Sequence, residues 1–98
     1  MIEVKTQQMK NQKKEILANL CYTERVYERI NKKLDTTLSK GEIETLISTI
    51  LKETDHSNFS KTGKNFYITN QKRNIRLTIN ANTFRIITVD LLSKLFSK

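Results

Sequence analysis

Proline and tryptophan are missing from the 98 residues of this chain, glycine occurs twice, and cysteine and histidine occur once each. Each scarcity closes a class of function. With Cys21 as its only cysteine, the chain has no intrachain disulfide and no thiolate cluster for zinc. His56 is the single histidine, so a metal site would need carboxylates almost throughout, and a Cys/His catalytic pair would need these two residues to meet. The near-absence of glycine and proline leaves no sign of a flexible linker or internal domain boundary, and nothing repeats. No apolar run approaches the roughly 18 residues that cross a bilayer, and the segment Met1–Gln8 lacks the apolar stretch of a secretory signal. The expectation is a soluble cytoplasmic protein, a mobile tail over residues 1–8 and one domain over residues 9–98. At 37% the apolar fraction is low, and the stability of so small a domain is expected to lean on a homo-oligomer.

Charge of one sign is also missing from one stretch. The chain carries a net charge of +8 with an isoelectric point near 9.8, which points to an anionic partner. Residues 1–55 are nearly balanced. Between His56 and Val89, however, stand Lys61, Lys64, Lys72, Arg73, Arg76 and Arg85 and no Asp or Glu, so this stretch carries six of the eight net charges.

The same stretch has the look of a sheet. Lys64–Asn70, Ile75–Asn80 and Phe84–Asp90 are short runs rich in β-branched and aromatic residues, separated by polar clusters that contain asparagine. This predicts a three-stranded antiparallel meander. Strict alternation puts Phe66, Ile68, Ile75, Leu77 and Ile79 on one face and Tyr67, Thr69, Arg76, Thr78 and Asn80 on the other. In the third run Phe84, Ile86 and Thr88 alternate with Arg85, Ile87 and Val89, so both faces are partly apolar and extra cover by a helix or a second subunit is expected.

Ahead of the sheet the period changes to that of helices. Ile16, Leu17, Leu20 and Cys21 form one apolar side, with Lys10, Lys13 and Lys14 as a solvated basic face. Thr23 is placed to cap a second helix in which Val26, Ile30 and Leu34 form the stripe. Its outer face carries Glu24, Arg25, Glu28, Arg29, Lys32 and Lys33 as ordinary surface pairs, and one continuous helix over residues 9–33 is the alternative. Ser39 and Glu42 make a capping box for a third helix with Ile43, Leu46, Ile47, Ile50 and Leu51. Thr54–Lys64 reads as a polar connection. Its Thr62-Gly63-Lys64 triplet lacks the upstream glycine, the following Ser or Thr and the helix that a phosphate-binding loop requires. Asp90 caps a short last helix containing Leu91, Leu92, Leu95 and Phe96. The predicted fold is α+β in two layers: three N-terminal helices, the three-stranded meander and a short C-terminal helix.

Through Cys21–Leu34, Gly63–Ile68 and Ile75–Asp90 the chain resembles a small uncharacterised bacterial family, a domain of unknown function of low-GC Gram-positive bacteria and their mobile elements. The resemblance covers residues 15–95. It implies a cytoplasmic protein and a prophage or mobile-element setting, and it assigns no activity and no functional residue.

The residues themselves favour a non-enzymatic binding protein. Guanidinium groups fork onto phosphates, an aromatic ring stacks on a base, and a hydroxyl completes the hydrogen bonding. The expected anion-binding set is Lys64, Tyr67, Lys72, Arg73, Arg76, Thr78 and Arg85, and the expected partner is a nucleic-acid backbone or a nucleotide. No catalytic residue, metal ligand or cofactor is expected, because acid–base chemistry needs convergent titratable groups and the basic stretch has no carboxylate. The alternative is a phage or mobile-element inhibitor of a host defence protein, acting through an oligomeric surface formed by the third strand and the last helix.

Overall fold

The computed structural model describes residues 12–95. The tail over residues 1–8, Lys10 and Phe96 lie outside the described residues. Helix α1 covers residues 12–19, followed by α2 (Glu24–Leu34), α3 (Lys40–Glu53), a 3-10 turn (His56–Asn58), strands β1 (Phe59–Thr62), β2 (Asn65–Asn70), β3 (Ile75–Asn80) and β4 (Ile86–Leu91), and a last turn of helix, α4 (Leu92–Leu95). The strands form one antiparallel sheet in sequence order.

This is the expected α+β arrangement with one correction, four strands in place of three. The added strand, β1, lies inside the segment read as a polar connection. Only Phe59 of its four residues is buried, and as an edge strand it needs no second apolar position. Ser60, Lys61 and Thr62 pair with Tyr67, Phe66 and Asn65 by backbone alone.

The possible long first helix is two helices. Between them Cys21 forms a parallel bridge with Arg85: its N–H donates to Phe84 O at 2.8 Å and its carbonyl accepts from Ile86 N at 3.0 Å. The linker thereby satisfies backbone groups on the free side of β4. Cys21, read as part of the apolar side of the first helix, instead pairs along the sheet. Helix α2 starts after Thr23, whose side chain makes no capping bond, and ends at Asp35 in the left-handed region, where Thr36 N donates to Asn31 O at 2.9 Å. The capping box at α3 is formed as expected, with Glu42 N donating to Ser39 Oγ and Ser39 N donating to Glu42 Oε1.

One face of the sheet holds the core. Phe59, Phe66, Ile68, Ile75, Leu77, Ile79, Ile86 and Val89 pack against Ile16, Val26, Ile30, Ile43, Ile47, Ile50 and Leu51. The apparent two-sided apolarity of the last strand has a local cause. Thr78 pairs with Thr88 but Ile79 pairs with Ile86, so Ile87 is an extra residue in a β-bulge. The alternation resets there, and Ile86, Val89 and Leu91 take the core side. Phe84, read as a strand residue, instead occupies the left-handed region at φ 59° in the turn, and Leu91 ends β4 rather than opening the helix.

The basic first-helix face is also corrected. Lys13 is half-buried and engaged: its Nζ donates to Lys52 O at 2.9 Å and Thr54 O at 2.6 Å and lies 5.8 Å from the Phe59 ring centre. It serves the exposed carbonyls at the C-terminal end of α3.

Candidate anion-binding surface

The sheet face opposite the core is assembled by register. Tyr67 lies opposite Thr78, which lies opposite Thr88, and Thr69 lies opposite Arg76, which lies opposite Asp90. Tyr67 and Arg76 are therefore diagonal neighbours on adjacent strands. The Arg76 guanidinium carbon sits 5.4 Å from the centre of the Tyr67 ring, a cation–π contact. Thr78, in the central strand beside them, is buried. The Nε of Arg76 is enclosed and has no hydrogen-bond partner.

Asp90 changes the electrostatics of this face. It stands just beyond the acid-free stretch in sequence, and pairing brings it directly across from Arg76. Its carboxylate is taken by Lys33 of α2 at 3.1 Å. Helix α2 runs beside β4: Val26 and Ile30 enter the core, and Arg29 donates to the carbonyl of the bulge residue Ile87 at 3.4 Å. The exposed flank of α2 thus continues the outer face of the sheet. Between them lies a groove of about 1000 Å³, bordered by Arg25, Glu28, Arg29, Lys32, Lys33, Thr88, Asp90, Leu91 and Lys94. The expected pairing along α2 is not what forms: Glu24 turns away to Lys40 of α3 at 2.8 Å, and Lys33 is taken by Asp90 of β4. Five cationic side chains then border the groove against two carboxylates.

The seven residues expected to bind an anion occupy three places. Tyr67, Arg76 and Thr78 share the middle of the outer face. Lys64 and Arg85 are exposed at one end of the sheet, linked through Ala81 N donating to Lys64 O and Asn80 N donating to Arg85 O. Lys72 and Arg73 lie in the β2–β3 turn at the other end, a six-residue strand away, or roughly 20 Å. Arg73 is engaged by the Glu53 carboxylate, which its side-chain hydrogen bond holds below the usual range, while the same contact raises Arg73. Arg85 stands about 13 Å along the strand direction from Arg76, since its carbonyl bonds the far end of β3.

The groove residues of α2 have a signal in the sequence. Arg25, Arg29, Lys32 and Lys33 recur at the three- and four-residue spacing of one helix flank, but interleaved Glu24 and Glu28 made them look neutralised. Among the described residues no group of three or more His, Cys, Asp and Glu could hold a metal ion. A further polar cluster lies where Tyr22 and Tyr27 meet Glu44. Tyr22 and Tyr27 stack with ring centres 5.5 Å apart, and Tyr27 Oη donates to Glu44 Oε2 at 2.6 Å, a bond that pushes the Tyr27 phenol up to about 12. Burial first, then the Glu44 charge, pushes Tyr22 up as well.

A family model described as a protein of unknown function, DUF3781, matches residues 14–90. No curated protein and no solved structure matches the chain. No helix among the described residues is long and apolar enough to cross a membrane.

Proposed function

Because the chain belongs to the DUF3781 family, whose description carries no activity, we propose its function from the surface alone: a non-enzymatic binding protein whose outer sheet face captures a nucleic acid. The observation that carries this is the Arg76 guanidinium on the Tyr67 ring, on the side of the sheet away from the core. Such a pair offers a flat cationic platform to a base or phosphate. Lys64 and Arg85 extend the positive field at one end, and Lys72 at the other. A cytoplasmic location, and the mobile-element setting that the resemblance implies, belong to this proposal.

The competing idea of a protein-binding inhibitor working as an oligomer drew on the two-sided apolarity of the last strand. The bulge at Ile87 and the cover from α2 account for that pattern within one chain, and light scattering of the purified protein checks the matter directly.

The test is binding of labelled oligonucleotides at low and moderate salt, comparing the wild type with the Arg76→Ala/Arg85→Ala double variant. Binding should weaken steeply with salt, and the double variant should lose at least about tenfold in affinity, roughly the 1.4 kcal/mol that a single charge-assisted contact supplies. Unchanged binding by that variant overturns the proposal. In the same preparation, co-purifying nucleic acid would raise the 260-to-280 nm absorbance ratio, and the chain has no tryptophan to mask it.

A further inference from the structure

The groove between α2 and β4 has the shape and charge of a track for a flexible polyanion. Its helix wall carries Arg25, Arg29 and Lys32 with the single carboxylate Glu28 among them, and Lys94 stands at its β4 end. Arg25 and Arg29 are separated by about 6 Å of helix rise, and Arg29 and Lys32 by about 4.5 Å, so several cations face a strand laid along the groove. The opposite wall is the outer face of β4, and Thr88 and Asp90 there pair directly with Thr78 and Arg76. The groove therefore adjoins the Tyr67–Arg76 platform across Thr88 and Asp90.

We propose that this groove binds the sugar-phosphate backbone of single-stranded nucleic acid, and that the strand passes from the groove across β4 to the Tyr67–Arg76 platform. The inference rests on the sheet-face reading above and adds its ligand class and path. Concavity decides between single strand and duplex. A helix that reads duplex DNA projects into a major groove about 12 Å wide, whereas the basic flank of α2 forms one wall of a slot and has β4 beside it. A single strand fits such a slot, with phosphates on the cationic wall and bases free to stack. Asp90, held by Lys33, excludes phosphate from the point where groove meets platform. There the strand crosses with its sugar or base inward, and phosphates fall on either side, near Arg76 and near Arg29.

The experiment uses the full chain and a fluorescein-labelled oligothymidylate, read by anisotropy across about 50 to 200 mM salt. Arg25→Gln/Lys32→Gln removes two exposed groove charges, and Lys52→Gln/Lys61→Gln removes two exposed charges elsewhere. The groove variant should bind about tenfold more weakly at low salt, with a salt slope shallower by about 1.4, the share of two single-strand phosphate contacts. The control variant should stay within about twofold of wild type, and the same sequence annealed to its complement should bind more weakly than the single strand. All three proteins should melt alike.

The outcomes separate the two proposals. If the groove and control variants behave alike while Arg76→Ala/Arg85→Ala loses binding, the track is wrong and the sheet-face reading stands. Preference for the duplex also overturns the track. If the wild type binds neither form, both proposals fall.

Discussion

At the residue scale, asparagine does the work that glycine and proline usually share. Asn31 accepts from Leu38 N at 2.9 Å and Thr36 Oγ1 at 2.8 Å and donates to Leu38 O at 2.9 Å, which ties the α2–α3 loop to its helix. Asn70, buried, accepts from Arg73 N and donates to Thr54 Oγ1, closing the β2–β3 turn onto α3. Asn80 accepts from the N–H groups of Asn82 and Thr83, and Asn74 adopts φ 61° and holds Ser93. Asparagine tolerates the left-handed region and imitates a backbone turn with its side chain. Asn31→Ala strands both polar groups of Leu38 and should cost about 1–3 kcal/mol in urea unfolding, lowering the melting temperature by roughly 4–8 °C for each kcal/mol. The exposed Asn19→Ala should stay within about 0.5 kcal/mol of wild type. Equal behaviour of the two variants would show that the Asn31 bonds contribute nothing net.

At the element scale, what was legible in the sequence is what periodicity and caps encode. The capping box at Ser39 and Glu42, the stripe of Val26 and Ile30, and the alternation through β2 and β3 all form as read. What stayed hidden depends on long-range pairing. β1 offers one buried residue, and its strand character comes from β2 beside it. The bulge at Ile87 has no local signature, since its position follows from where β3 and the Cys21 bridge pin the two ends of β4. The candidate site was legible where alternation rules, at Tyr67, Arg76 and Thr78. It was illegible where register brings Asp90 opposite Arg76 and where α2 lies along β4. Lys13 shows the same limit: three neighbouring lysines look alike in sequence, yet this one clamps the end of α3 from α1. Lys13→Met keeps most of the aliphatic stem and removes the charge, and it should cost about 1 kcal/mol. Lys14→Met, on an exposed position, should leave the urea midpoint unchanged. A Lys13→Met midpoint equal to that of Lys14→Met would mean that the clamp is not formed in solution.

At the scale of the whole molecule, the charge of +8 that remains after all ten acidic residues are counted sets up self-repulsion, and several of those acids lie around α3. Three of those carboxyls are held below their ordinary range. Hydrogen bonds from Ser39 lower Glu42, the Arg73 side chain lowers Glu53, and the Ser57 side chain and N–H lower Asp55. A group whose pKa is depressed by folding binds its proton less readily in the folded state than in the unfolded one. Its contribution to stability is fully present above the unfolded value, about 4, and is lost as pH falls through the folded value. The melting temperature should therefore be flat across neutral pH down to about 5 and drop progressively below about 4, where protonation also adds to the net positive charge. Glu53→Gln removes one of the three depressed carboxyls, so its melting temperature should fall less steeply below pH 4 even though it starts lower. Scanning calorimetry from neutral to acid pH on both proteins measures this. Parallel acid limbs would mean that the Glu53–Arg73 pair, which ties α3 to the β2–β3 turn, adds no pH-dependent stability, and that Arg73 remains available to the anionic surface.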